Sequence, residues 1–370
     1  MQLEGIAPDR RMFVALGNAA AAARDLEQGR VIHRCAQESG YCRDSQLATA
    51  ILNMYGKCGD IRSARVVFDA IAAPGEIDVV VGTALVAMYG RVGSLRSASN
   101  VFLVMPEKNT VTWNTMIAAY AQNGHHKEAL GVYWRMLLDG QHRPSKVTFL
   151  GVFQACQSPQ FLIHGRSIHS QSTEKGLSHD TAVATTIVSM YGKCGNLDGA
   201  REVFAGIQNR DSACWTAMIA AFAVHSDPAS TLELFQMMLL EGIAADGRTF
   251  MGMLDGCTHT GRVEQGCYYF GLMSDHWIVP EKEHYGCLAD LLGRAGWLLE
   301  AEDFIKKMPA SVVDDFKWMS LLGACKMHGD VSRAERAAKQ AVQLNSRNSA
   351  AAYVALSSVY VANSTKLHRP

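Results

Sequence analysis

The 370-residue chain has no net charge, since 35 basic side chains balance 35 acidic ones. That balance is not the signature of a protein that holds polyanions through charge alone. No apolar run reaches membrane-spanning length, so no membrane span is expected. Cys-x-x-Cys occurs nowhere, and the ten cysteines follow neither disulfide nor zinc spacing. A phosphate-cradling glycine loop and a Ser/His/Asp set are also missing. Catalysis by this chain, a bound metal and a cofactor are therefore not expected. Nothing alternates with period two over a useful length, which argues against strands. With 48% apolar and 19% charged residues, extensive disorder is excluded. The opening residues are not expected to be a signal peptide or an Arg/Ser-rich transit segment.

What the chain does have is an internal period. The clearest copies are Met54-Tyr55-Gly56-Lys57-Cys58-Gly59 and Met190-Tyr191-Gly192-Lys193-Cys194-Gly195, with Met88-Tyr89-Gly90 between them. Turn-forming anchors recur at Gly59, Gly93, Gly124, Gln160, Gly195, Ser226, Gly261, Gly296 and Gly329, at intervals of 31 to 36 residues. Five residues after the anchors come Ala64, Ala98, Ala129, Gly165, Ala200, Thr231, Gly266, Ala301 and Ala334. Nine after come mostly aromatics, among them Phe68, Phe102, Tyr133, Phe204 and Phe235. Four before come Tyr55, Tyr89, Tyr120, Cys156, Tyr191, Phe222, Cys257, Leu292 and Cys325. Each unit therefore reads as two helices with the anchor in the turn between them. The small residue lets the two backbones approach, and the bulky one fills the space a turn later. Such units bury their core on their neighbours, so the expectation is an all-α solenoid whose function lies on its surface. The repeated cysteines read as small buried hydrophobes in a reducing compartment. His33 and His169, both in Gly-Arg-x-Ile-His contexts, read as interhelix residues rather than ligands, and His125-His126 as exposed loop.

Unequal periods and the segment Val111-Thr112-Trp113-Asn114-Thr115-Met116-Ile117-Ala118-Ala119-Tyr120-Ala121-Gln122-Asn123-Gly124 resemble the pentatricopeptide repeat family, in its plant-type subclass of mixed motif lengths. Glu128-Ala129-Leu130-Gly131-Val132-Tyr133, Met136 and Pro144 continue that pattern. The stretch from His284 to Gly296 resembles the last short repeat of the editing-factor branch, and Trp318 to Gly329 with Tyr353 to Tyr360 its tetratricopeptide-like extension. The resemblance implies a right-handed superhelical solenoid of about nine to ten units. It divides the chain into a partial repeat (1–9), a repeat array (10–314), an E-type extension (315–362) and an aberrant tail (363–370). Met1 to Asp9 resembles the repeat end at Met238 to Asp246, which suggests that an N-terminal piece precedes this chain.

The family reads single-stranded RNA one base per repeat. It places one reader ten residues before the anchor and a second at the last position of the repeat. Carried over, the pairs are Thr49/Asp78, Thr83/Asn109, Asn114/Ser145, Thr185/Asp211 and Thr216/Asp246. The resemblance implies guanine for Thr with Asp, adenine for Thr with Asn and a pyrimidine for Asn with Ser, hence a site like 5′-G-A-Y-N-G-G-3′. The N falls under Leu150, which cannot hydrogen-bond a base edge; Val14 and Met251 share that limitation, and Gly286 with Asp314 is half-specified. Any one Thr or Asp would ordinarily be a helix cap or a turn residue. Five pairs in one register favour readout. Val80, Val111 and Val147 occupy the slot that flanks bases in the family, or else pack in the core. The deaminase domain that often ends this branch carries His-x-Glu together with Cys-x-x-Cys, and no Cys-x-x-Cys is present. The expectation is a sequence-specific RNA-binding adaptor of chloroplasts or mitochondria that recruits a deaminase or an editing accessory protein in trans. The competing readings are a protein-binding scaffold and the truncated product of a longer editing factor.

Overall fold

The computed structural model describes residues 8–41, 44–71, 78–225, 228–345 and 349–367, the side chains of 68–71 and 364–367 apart, and every regular element in them is helical. Two compact units form, Met1–Ser178 and His179–Pro370. The first contains α1 (Arg10–Ala23), α2 (Leu26–Glu38), α3 (Ser45–Cys58), α4 (Ile61–Ile71), α5 (Val79–Arg91), α6 (Leu95–Val104), α7 (Thr110–Gln122), α8 (His126–Asp139), α9 (Lys146–Ala155) and α10 (Leu162–Glu174). The second contains α11 (Thr181–Lys193), α12 (Leu197–Gly206), α13 (Ser212–His225), α14 (Pro228–Leu240), α15 (Gly247–Thr260), α16 (Val263–Asp275), α17 (Lys282–Arg294), α18 (Leu298–Lys307), α19 (Asp315–His328), α20 (Val331–Leu344) and α21 (Ser349–Leu367). Within each unit the odd-numbered helices stack on one another, and each up to α19 also packs on the even-numbered helix that follows it. This is the all-α solenoid of helix-turn-helix repeats that the period requires.

The turns explain the lattice. The seven glycine anchors all sit at positive φ, for example 77° at Gly59 and 79° at Gly329, where a Cβ would be strained. The residue after each of them donates its N–H to the carbonyl four residues before the anchor: Asp60 to Tyr55 at 3.0 Å, Asn196 to Tyr191 at 2.9 Å, Asp330 to Cys325 at 3.1 Å. This six-to-one bond closes the helix and satisfies one of its orphan carbonyls. Gln160 departs from the rule, lying in a short 3-10 turn, Pro159–Phe161, and Ser226 falls outside the described residues.

All nine small residues five after the anchors are buried, Ala64, Ala98, Ala129, Ala200, Ala301 and Ala334 at 0% exposure. Tyr133, Phe204, Phe235 and Ile305 fill the core a turn later, whereas His169 and Phe270 are half-buried and the Phe68 side chain is outside the description. A second small position had no place in the sequence reading. Three residues before the anchor, Gly90 and Gly192 face the next odd helix so closely that an added Cβ would lie 2.6 Å from Ala119 Cβ and 2.3 Å from Ala221 Cβ. Of the repeated cysteines, Cys156, Cys194, Cys257 and Cys325 are buried while Cys58 is half-buried, and burial pushes the Cys257 and Cys325 thiols up to about 11. His33 contacts Tyr55, its Nδ1 2.9 Å from the phenol oxygen, and burial lowers its pKa. His125 is exposed, but His126 is not loop; it begins α8 and is half-buried near Phe161.

One buried charge ties α18 to α20. Glu302, 3% exposed, accepts from Lys306 Nζ at 2.8 Å, Arg333 Nε at 2.9 Å and Arg336 Nη2 at 2.8 Å. Its hydrogen bond from Arg336 leads, and against the penalty of burial the carboxyl is held down at about 2.

Three outcomes follow for stability. Gly192→Ala should destabilise by about 1–3 kcal/mol through overpacking. Gly131→Ala on α8, whose added Cβ meets nothing within 4 Å, should be neutral or stabilise by up to about 1 kcal/mol; urea midpoints of the two variants check this. Glu302→Gln should cost about 2 kcal/mol at neutral pH. Because the folded-state pKa is depressed, that difference should be fully present above pH 4.5 and vanish as pH falls towards about 2, in the same titrations.

Candidate nucleic-acid interface

The first residue of each expected pair lies on an odd helix, and the second sits at the N-terminus of the next odd helix. Asp78, Asn109, Ser145 and Asp246 are the N-caps of α5, α7, α9 and α15, each accepting from a backbone N–H of the first turn. Asp211 Oδ1 does the same for α13, accepting from Cys214 N–H at 2.9 Å. The ordinary role of these residues as caps is therefore present.

Each pair is also joined to itself by hydrogen bonds. Asn114 Nδ2 donates to Ser145 Oγ at 3.3 Å. Thr83 and Asn109 are linked through Thr112, whose Oγ1 lies 2.7 Å from Thr83 Oγ1 and donates to Asn109 Oδ1 at 3.0 Å. Thr249 links Thr216 and Asp246 in the same way, at 2.9 and 3.1 Å. Cys214 lies 2.9 Å from Thr185 Oγ1, and its thiol also bonds Asp211. Thr49 and Asp78 meet through Ser45, whose carbonyl accepts from Thr49 at 2.7 Å and whose hydroxyl donates to Asp78 Oδ2 at 3.3 Å.

The linking residues Thr112, Thr148, Cys214 and Thr249 were not singled out from sequence, and all are fully buried. Thr148 donates to Asn114 Oδ1 at 2.6 Å. Their signal was available: each stands three residues after a capping residue, the position that closes a capping box.

Two of the carboxylates are held below the usual range. For Asp211 the Cys214 thiol is the main cause, followed by the Cys214 N–H. For Asp246 burial pushes up, but the Thr249 N–H and hydroxyl and nearby Arg248 outweigh it. Both are anions at neutral pH.

Val80, Val111 and Val147 are 55%, 60% and 59% exposed, so core packing is not their role. Val14, Leu150 and Met251 are half-buried at their slots. Basic residues recur in the last turns of the odd helices at Lys57, Arg91, Lys193 and Arg294. They complement the helix dipole there. Some also share clefts with the reader slots. In the first unit a cavity of about 280 Å³ is lined by Val14, Thr49 and Arg91; in the second, one of about 710 Å³ is lined by Met251, Gly286 and Arg294. Among the described residues no three His, Cys, Asp or Glu side chains converge as a metal site requires. No described helix is long and apolar enough to cross a membrane.

Comparison with known proteins gives these repeats a family. The PPR repeat family matches residues 108–157, and the PPR repeat matches residues 183–211, 213–243 and 283–311. The chloroplastic pentatricopeptide repeat-containing protein CRR2 of Arabidopsis thaliana is 39% identical, over 96% of this chain and 50% of that protein. A mitochondrial pentatricopeptide repeat-containing protein of the same plant is 32% identical, over 97% of this chain and 53% of that protein. The chain thus spans about half the length of these relatives. Among solved structures, PPR10 in complex with an 18-nucleotide psaJ RNA element is similar at a TM-score of 0.44 and 18% identity, covering 97% of this chain and 52% of that one.

The linking hydroxyls should be measurable as stability. Thr249→Val removes the hydroxyl that joins Thr216 to Asp246 and should cost about 1–2 kcal/mol. Thr115→Val removes only a bond to the Val111 carbonyl of its own helix and should stay within about 0.5 kcal/mol, by thermal or urea unfolding.

Proposed function

The chain is a pentatricopeptide repeat protein, and from that premise we propose that it is a sequence-specific adaptor for single-stranded RNA. The observation that carries this reading is the repeated, hydrogen-bonded pair: five polar pairs in one register, each held in place before any ligand arrives.

The geometry supports a sign for each readout. In Asn109 the carbonyl oxygen is taken up by Thr112 N–H and Oγ1, and the amide nitrogen makes no hydrogen bond among the described residues. A donor presented outward suits the adenine ring acceptor and opposes the guanine ring N–H. In Asp211 the cap likewise uses Oδ1, but the second atom is an anionic acceptor, which suits guanine. Pairs Thr49/Asp78, Thr185/Asp211 and Thr216/Asp246 would select guanine, Thr83/Asn109 adenine and Asn114/Ser145 a pyrimidine, giving 5′-G-A-Y-N-G-G-3′. The exposed valines would flank the bases and the last-turn lysines and arginines would meet phosphates, setting affinity without sequence preference.

The adaptor would act in C-to-U editing in chloroplasts or mitochondria, without catalysis of its own, over an array at 10–314. The extension at 315–362 would recruit a deaminase or an accessory protein in trans. The exposure of Tyr353, Val354 and Val361 on α21 supports that division of labour.

The test is fluorescence anisotropy of the purified chain with a labelled GAYNGG RNA and a scrambled control at one fixed salt concentration. The designed RNA should bind more tightly, and Asp211→Asn should move the preference from G to A at the fifth base alone, by about 5- to 100-fold. Equal, steeply salt-dependent binding to both RNAs would defeat sequence-specific readout. No binding by a folded, monodisperse chain would point to a protein scaffold instead.

A further inference from the structure

The 710 Å³ cavity on α15, α17 and α19 is the larger of the two clefts described, and its floor is unlike the paired sites. At the reader position stands Gly286, and a Cβ added there would meet nothing within 4 Å. Its expected partner, Asp314, is already engaged: it caps Lys317 N–H at 3.2 Å and pairs with both Lys317 Nζ and Lys282 Nζ. Asp290, also in the wall, accepts from Ser320 Oγ at 3.2 Å and Arg294 Nε at 2.7 Å. Asp255 differs. Its Oδ1 accepts from the Cys287 thiol at 3.0 Å, Oδ2 makes no hydrogen bond among the described residues, and no cation pairs with it there. Cys287 is held protonated, its pKa pushed up to about 12 by burial and then by Asp255, so the thiol keeps orienting the carboxylate. Phe316, 75% exposed, stands in the same wall as a flat apolar surface.

We propose that this cavity takes a guanine base of the bound RNA, two positions beyond the GAYNGG core, and that Asp255 rather than Asp314 selects it. The inference rests on the RNA-binding reading above and adds a specificity residue one helical turn past the usual reader slot. Guanine is the one base whose Watson–Crick edge carries two adjacent donors, the ring N–H and the exocyclic amine, and a carboxylate accepts both at once. Adenine and cytosine each set a lone pair beside their amine, and uracil flanks its single N–H with carbonyls, so each would point an acceptor at an anion. The missing side chain at Gly286 leaves room for the purine, and Phe316 offers a ring for stacking.

The experiment titrates the full chain with four RNAs, 5′-GAYNGGNX-3′, differing only in X, at one salt concentration. X = G should bind about tenfold more tightly than the other three. Asp255→Asn should remove that preference while leaving discrimination at the fifth base intact; Glu283→Gln and Asp314→Asn should each retain it. Gly286→Leu, which fills the cavity, should weaken X = G selectively. Equal affinity for all four X with readout at the fifth base preserved overturns the Asp255 assignment and leaves the adaptor standing. Loss of preference in Asp314→Asn but not in Asp255→Asn overturns it as well. Absence of discrimination at every position would instead refute the adaptor reading itself.

Discussion

The close approach of successive odd helices is the constraint on which the rest depends. Gly90 against Ala119, Gly192 against Ala221 and Gly293 against Ala324 leave no room for a methyl group, an added Cβ falling 2.3–2.9 Å from the neighbour. Helices in contact through such residues pack at the short end of the usual 8–10 Å range. That spacing decides where the N-terminus of each odd helix lands relative to its predecessor. The links between reader positions measure 2.6–3.3 Å and close only at that separation. A methyl group in the core would therefore be felt at the surface, because the polar pairs span two helices and not one.

The second member of every pair has two tasks. It caps the next helix with one oxygen, and its remaining polar capacity differs from site to site: the Asn109 amide nitrogen makes no hydrogen bond among the described residues, Asp78 Oδ2 accepts from Ser45, Asp246 Oδ2 accepts from Arg248, and Ser145 has spare capacity on its only hydroxyl. Asp, Asn and Ser are the strongest capping residues because a short side chain reaches back to the first-turn N–H groups. They are also the set found here: Asp78, Asn109, Ser145, Asp211 and Asp246. In the proposed readout, helix stability thus narrows the alphabet available for recognition. An Asp-to-Asn exchange keeps the cap and inverts the outward atom from acceptor to donor, so specificity can change at small cost to the fold. With a neutral chain, the proposed discrimination would rest on the pairs more than on bulk electrostatics.

Much of this was legible in the sequence. The anchors, the small residues and the helix pairs were readable because turn chemistry and close packing each admit few residue types. Gln160 marked its turn without the left-handed conformation, since the interval is a lattice property whereas the cap is local. Exposure was harder to see. Val80 and Val86 look alike in sequence, yet Val80 is 55% exposed and Val86 is at 0%, because one lies in the first turn and the other faces the stack. The buried linkers escaped because a threonine at the third helical position carries no mark of its own. Only the neighbouring helix reveals that its hydroxyl is shared. Asp255 was invisible for a related reason, being set apart by what its fellow carboxylates are paired with.

Polar satisfaction explains how the sites without a polar reader are built. Where the first position is polar, the third residue of the next odd helix is polar too in four cases: Thr83 with Thr112, Asn114 with Thr148, Thr185 with Cys214 and Thr216 with Thr249. Where the first position is Val14, the corresponding residue is Leu47, buried at 1%. After Met251 it is His284, whose Nδ1 accepts from Glu281 N–H at 3.0 Å and whose Nε2 turns to the Gly247 carbonyl at 2.8 Å. Thr49 faces Val81 and finds its acceptor in its own helix, at the Ser45 carbonyl. A buried hydroxyl or ring nitrogen needs a partner, and an apolar neighbour supplies none. The first reader and the linker one helix later must therefore change together, or the orphaned group must find a backbone partner. In the proposed readout, four of the five pairs would therefore act as sets of three side chains, the buried one deciding which polar atoms the other two can offer.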